Sequence, residues 1–354
     1  MEKRSDLSLL FRYRSALMGI AALWILMTHE WQIVSQNGDL LFEAERFIKR
    51  IGFCGVDIFL LLSGMGMVFS LEKNNLLRFY YNRLKRIILP FWIMASIVAF
   101  VDQWDKIFYL KVVTGVAFFR INIYSFLWFV PAIITFYLVV PLYYVLFKRA
   151  KNKYLFTLGV LEVWLLISML LGTTMRQDLY GFTNRIPIFI MGVLFGWLCK
   201  EGKVCFTKGA WGVLGATLIL GLYLAYQTNM KGMEILVPVS NCCVPNFLIS
   251  ISLPLLLAKG LDLLSKVHGV NWLSGFINRF FAFFGMMSLE FYCVQEWIAK
   301  KILPDFVGQY GNAISNLLLL LVVIVCGLSL YLTNKLFVWI FDSLDYYFIQ
   351  KRCD

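Results

Sequence analysis

The residues of this chain that could do chemistry are few, because most of its polar side chains lie between apolar runs rather than in them. Those within or at the edges of the runs are His29, Asp57, Glu162, Glu290, Gln295 and Glu296, with Arg14, Arg83, Arg86 and Arg185 at the rims. In hydrocarbon such groups are costly, so each is a functional candidate by default. His29 leads. It is one of two histidines in 354 residues, ends the run Ala16 to Thr28, and is followed at once by Glu30. A neutral imidazole can take a proton near pH 7, as a general base for a hydroxyl nucleophile must. The competing reading is a histidine snorkelling at the outer headgroup boundary or hydrogen-bonded between helices. His268, in a loop with Lys266, reads as a surface residue.

A basic stretch, Arg78, Arg83, Lys85 and Arg86, precedes Ile87 to Pro90. Arg83 and Arg86 are three apart and share a helix face. Two guanidinium forks on one face suit the phosphates of a nucleotide-like ligand; a juxtamembrane cluster drawn to anionic lipid fits the pattern equally. Between Gly52 and Gly64, small residues permit close helix packing. Packing accounts for the glycines and Ser63 but not for Asp57.

The elements that position these groups follow from composition. The chain is 60% apolar, 17% aromatic and 15% charged, with a mean hydropathy of +0.74. A water-soluble domain carries about a quarter charged residues, so a soluble enzyme, a secreted disulfide scaffold and a disordered chain are excluded. Ten apolar segments stand out, at about 15–34, 52–71, 87–101, 125–147, 154–173, 186–199, 210–226, 244–258, 280–299 and 313–333. Runs of about 20 residues match the hydrocarbon thickness of a bilayer. The pattern predicts an all-α polytopic bundle of about ten transmembrane helices in one domain, 1–354, with 107–119 as an interfacial helix. Connections on the side of the termini hold twice as many Lys and Arg as the others, which places both termini in the cytoplasm. The basic, aromatic tail 335–354 is expected along the inner surface. The net charge of +12 reports orientation, not nucleic-acid binding. Eight cysteines show no CxxC or metal-type spacing, no metal is expected, and no signal peptide is visible.

The ordered set of motifs resembles the membrane-bound acyltransferase-3 superfamily. The resemblance rests on Ala16 to His29, Gly55 to Gly64, Arg83-Leu-Lys-Arg86 before Pro90, Leu127-Trp-Phe-Val-Pro131 with Tyr137 and Pro141, Arg185 to Gly192, and Ser288-Leu-Glu-Phe-Tyr292. Two positions depart from the family pattern. Many members carry a base where this chain has Met18, and here the nearest base is Arg14, one turn earlier. Many carry a histidine where this chain has Gln295.

The resemblance implies a plasma-membrane enzyme moving an acyl group, usually acetyl, from cytoplasmic acyl-CoA to a sugar hydroxyl of a surface polysaccharide or lipid-linked glycan. No tightly bound cofactor is implied. It makes His29 the base, with Glu30 or Asp57 orienting the ring, and Arg14, Arg83 and Arg86 the holders of acyl-CoA. Trp128, Arg185, Glu290 and Gln295 would line the acceptor cavity, Trp128 as a platform for a sugar ring. A covalent acyl-histidine relay stays open. The rival class is a proton-coupled transporter or flippase, which buried carboxylates such as Glu162 and Glu290 would also suit; the absence of visible inverted repeats weighs against it.

Overall fold

A run of lipid-facing residues can satisfy its peptide groups only within itself, and helices are the open-chain solution. The computed structural model describes residues 5–29, 31–121, 126–174, 180–202, 204–235 and 240–350, and among these every regular element is helical. In chain order they are α1 (Ser8–Arg12), α2 (Arg14–His29), α3 (Leu40–Arg50), α4 (Cys54–Lys73), α5 (Leu76–Val101), α6 (Lys106–Val113), α7 (Val116–Arg120), α8 (Phe129–Arg149), α9 (Lys153–Thr174), α10 (Tyr180–Thr183), α11 (Ile186–Glu201), α12 (Lys208–Lys231), α13 (Ser240–Leu264), α14 (Asn271–Met286) and α15 (Ser288–Gln350).

Among the described residues eight helical stretches are long and apolar enough to cross a membrane. The last is two helices joined at Gly311, whose φ of 74° lies in the left-handed region that glycine adopts cheaply. The chain is a polytopic helical bundle, as its apolar runs predict. α2 has only 16 residues, a length of about 24 Å.

The structure departs from the sequence reading in four places. The run 280–299 is interrupted at Met287, so its first part closes α14 and its second opens α15. α5 extends back from the run 87–101 to Leu76 and carries Arg78, Arg83, Lys85 and Arg86 on its first turns. The stretch 107–119 is two short helices parted at Gly115, φ 77°, with Asp105 capping the first by accepting the N–H groups of Ile107 and Phe108, both at 2.9 Å. The connection 35–53 contains α3, an amphipathic helix. In the tail, α15 stays helical through Gln350.

The chain divides into two compact units, Met1–Asn75 with Leu138–Ser288, and Leu76–Tyr137 with Leu289–Asp354. In the first unit, glycines let helix backbones touch. A Cβ on Gly55 would stand 2.6 Å from the Ala21 carbonyl oxygen of α2, and one on Gly196 of α11 would stand 2.6 Å from that of Met65 in α4. Gly19 of α2 and Gly285 of α14 meet in the same way. The Arg14 end is fastened by polar contacts: Arg12 Nη1 donates to Asp262 Oδ1 at 2.7 Å, and the Phe206 N–H donates to Asp6 Oδ2 at 2.7 Å.

In the second unit, α5 and α15 are joined by side chains. Lys85 pairs with Asp342. At the far end of α5, Trp297 Nε1 donates to Asp102 Oδ2 at 2.9 Å and Lys301 Nζ stands 2.7 Å from Asp102 Oδ1.

Candidate active site

Arg14 and His29 are the first and last residues of α2. Fifteen residues of helix separate them by about 22 Å. Arg14 is half-buried and His29 exposed. α4 starts against the His29 end and runs back down α2: Gly52 abuts Trp24 and Thr28, and Gly55 abuts Ala21 and Ile25. This antiparallel register sets Asp57 level with Ala21, about 12 Å along the axis from His29.

Asp57 meets Arg185, the residue before α11, with Oδ1 3.6 Å from Nε and side chains only 5% and 12% exposed. Arg185 also donates to the Gly181 carbonyl. Around the pair lies a buried polar layer. Cys54 Sγ donates to Asn246 Oδ1 at 3.4 Å, Ser250 Oγ donates to the Cys54 carbonyl at 3.4 Å, and Cys243 Sγ donates to the Asn184 carbonyl at 3.5 Å. At 3.6 Å the Asp57–Arg185 pair is an ionic contact rather than a hydrogen bond, each buried charge offsetting the other. Sequence spacing could not reveal this pairing, since Asp57 and Arg185 are far apart in the chain. Glu30 lies outside the described residues.

α3 is the element that sequence reading missed. It sits over the His29 end of α2, held by Trp24 Nε1 donating to the Ile48 carbonyl at 2.9 Å and Lys49 Nζ donating to the Trp31 carbonyl at 2.6 Å. The Glu45 carboxylate accepts the N–H groups of Val34 and Ser35, at 2.9 and 3.0 Å, and the Ser35 hydroxyl at 2.8 Å. Partial burial alone would push the Glu45 carboxyl up. The Val34 and Ser35 donors, together with Lys49, outweigh that and hold it below the ordinary glutamate value. Between α3 and the end of α2 lies a cavity of about 310 Å³, lined by Thr28, Ile33, Phe42, Arg46, Lys49 and Arg50. The spacing of Phe42, Arg46, Lys49 and Arg50, on one side of a helix, was the available signal.

The second unit holds the other candidates. Arg83 lies over the rings of Phe79 and Tyr137, 5.9 and 5.7 Å from their centroids. The Arg86 charge acts on Glu290. Glu290 is 4% exposed and accepts from Asn334 Nδ2 at 2.7 Å, which also reaches the Arg86 carbonyl at 3.3 Å. Asn334 was not anticipated. Gln295 is 1% exposed, and its Oε1 has no hydrogen-bond partner among the described residues. Trp128 is half-buried against Phe129, whose N–H donates to the Tyr292 hydroxyl at 3.2 Å. Its predecessor Leu127 has a φ of 53°, a strained value for a side chain of this size. Glu162 is exposed on α9, and Glu296 pairs with Lys300 at 2.5 Å.

The structure places Arg14, His29, Asp57 and Arg185 in the first unit, and Arg83, Arg86, Trp128, Glu290 and Gln295 in the second. Asp57 pairs with Arg185 and lies about 12 Å along the axis from His29, out of reach of its ring, so it does not take the orienting role expected from the sequence. No group of three or more His, Cys, Asp or Glu converges as metal ligands among the described residues. A family model described as an acyltransferase domain (acyltransferase-3) matches residues 16–333. No curated protein and no solved structure matches the chain.

Proposed function

The chain belongs to the acyltransferase-3 family and is a membrane acyltransferase, and from that premise we propose that it carries an acetyl group from cytoplasmic acyl-CoA to a hydroxyl of a cell-surface glycan or its lipid-linked precursor, in the plasma membrane. The observation that carries this reading is the placing of one imidazole at the end of α2 opposite Arg14, about 22 Å away. With the termini inside, that end faces outward, where an acceptor arrives.

In the proposed reaction His29 takes the proton of the acceptor hydroxyl, the oxygen attacks the thioester carbonyl, a C–O bond forms and the C–S bond breaks. The CoA thiolate leaves and receives the proton from the imidazolium, so charge and protons balance. Arg83 and Arg86 hold the phosphates of CoA. Trp128 offers an aromatic face to a sugar, with Glu290 and Gln295 beside it as acceptor contacts. Glu30 orients the ring. The Asp57–Arg185 pair holds α4 and the start of α11 in register beneath it.

Replacing His29 with Ala should lower acetyl transfer by about a hundredfold or more while folded protein is retained in membranes; turnover at the wild-type rate would overturn the assignment. Arg83→Ala should raise the acetyl-CoA concentration needed for half-maximal rate more than it lowers kcat. An effect on protein abundance alone would favour the lipid-surface reading of the basic stretch.

A further inference from the structure

The cavity beside His29 is an unusual place for positive charge. In the connection between α2 and α4 three cations, Arg46, Lys49 and Arg50, fall within five residues, and all three line the cavity. No carboxylate among the described residues lines it. Glu43 lies 3.4 Å from Arg46 Nη1, and Glu45, which accepts from Val34 and Ser35, also feels the charge of Lys49, so two carboxylates outside the lining stand against three cations within it.

The orientation of α3 separates this cluster from an ordinary headgroup contact. Its apolar side, Leu40, Leu41 and Ile48, is 86%, 71% and 44% exposed. That side is turned away from α2. The basic side faces back over Thr28, which directly precedes His29. A volume of about 310 Å³ is at the low end of small-molecule sites, about 300 Å³, and matches roughly one sugar residue with its substituent.

From this arrangement we propose that the cavity between α2 and α3 binds the anionic group of the acceptor, a carboxylate or phosphate carried by the glycan next to the hydroxyl that is acylated. This rests on the acyltransferase reading above and deepens it by naming the acceptor as an acidic glycan. Arg46 and Lys49 anchor the anion by charge-assisted hydrogen bonds, and the hydroxyl is thereby presented at His29.

The test uses the full chain in nanodiscs of neutral phosphatidylcholine, with oligogalacturonate as the charged probe and its methyl ester as the uncharged twin. Wild-type protein should bind the charged oligomer about tenfold or more tightly than the ester, inorganic phosphate should compete, and Arg46→Gln with Lys49→Gln should erase the preference while the melting temperature holds. Equal binding of the two oligomers by the wild type, or a preference that survives the double variant, overturns the proposal. In a parallel arm with phosphatidylglycerol in the nanodisc, loss of co-purifying anionic lipid in the double variant with no change in oligomer binding would assign the cluster to lipid headgroups and also overturn it. His29→Ala separates this inference from the function it rests on, because it should keep the oligomer preference and lose transfer. A wild-type preference without any acetyl transfer fails the acyltransferase reading alone. Transfer without a preference fails the acidic-acceptor inference alone.

Discussion

The first unit adds backbone contact at glycine to its polar pairs, whereas the contacts described between α5 and α15 of the second are made by side chains. In the first, backbones meet at glycine: Gly55 on α2, Gly64 and Gly192 on each other, Gly196 on Met65, Gly19 on Gly285. In the second, side chains reach across, with Asn334 serving Glu290 and the Arg86 carbonyl, Lys85 meeting Asp342, and Asp102 shared by Trp297 and Lys301. Backbone contact fixes an interaxial distance with almost no freedom. Polar side-chain contact can lose one partner and leave the helices in place. The difference predicts that substitutions at the glycine contacts of the first unit cost more than loss of one polar partner in the second.

The contrast is broken most severely at Gly64. A valine there would drive its Cβ into the Phe189 carbonyl, with Gly192 Cα at 3.1 Å and no flexible side chain to yield. Melting in detergent should show a loss of about 3 kcal/mol or more, or no folded protein at all. Gly66, on the same helix with nothing within 4 Å of its Cβ, supplies the control, since Gly66→Ala should be neutral or stabilise by up to about 1 kcal/mol. Equal damage at both positions would remove the distinction between close contact and helix propensity.

A smaller effect is expected in the second unit. Asn334→Leu leaves the Glu290 carboxyl without its donor and should cost about 1–3 kcal/mol, partly recovered by adding Glu290→Gln. A double-mutant cycle on melting temperatures measures the coupling, and additive losses would show that the two side chains do not support one another.

The smallest effect tests α3, which is pinned by hydrogen bonds rather than by glycine. Glu45 is held below the ordinary glutamate value in the folded protein, with partial burial opposing its donors and Lys49. A carboxyl lowered on folding contributes stability that is complete above its unfolded value and is lost as pH falls through the lowered folded value. Protection of the Val34 and Ser35 amides from hydrogen exchange should therefore be steady at neutral pH and weaken in the acid range. Glu45→Gln should give weak protection at every pH. A wild-type profile without pH dependence would show that the backbone, not the carboxylate, holds the 31–39 stretch.

The sequence made the spanning helices legible because lipid imposes one rule on every residue of a run: length and apolarity alone mark α4, α8 and α12. Breaks inside a run left no such mark. Met287 divides α14 from α15 without a proline. α3 escaped because eleven residues with both signs of charge resemble a loop until their period is compared with the helix. Among the candidate site residues, His29 and the arginines were visible as polar intrusions into apolar text. Their partners were not. Arg185 for Asp57 and Asn334 for Glu290 come from distant segments, and spacing along the chain carries no information about such meetings.

The shortness of α2 has its own consequence. A helix of about 24 Å falls roughly 6 Å short of a 30 Å hydrocarbon layer, so if α2 crosses the bilayer as the apolar run 15–34 predicts, the bilayer beside it would dip or the end of the helix would sit below the lipid surface. On the proposed function, a glycan approaching His29 would have to lower a segment into that recess, and chain ends or sparsely branched stretches would enter it more readily than bulky junctions. Where along a glycan the modification falls would then be governed by reach as much as by the identity of the sugar.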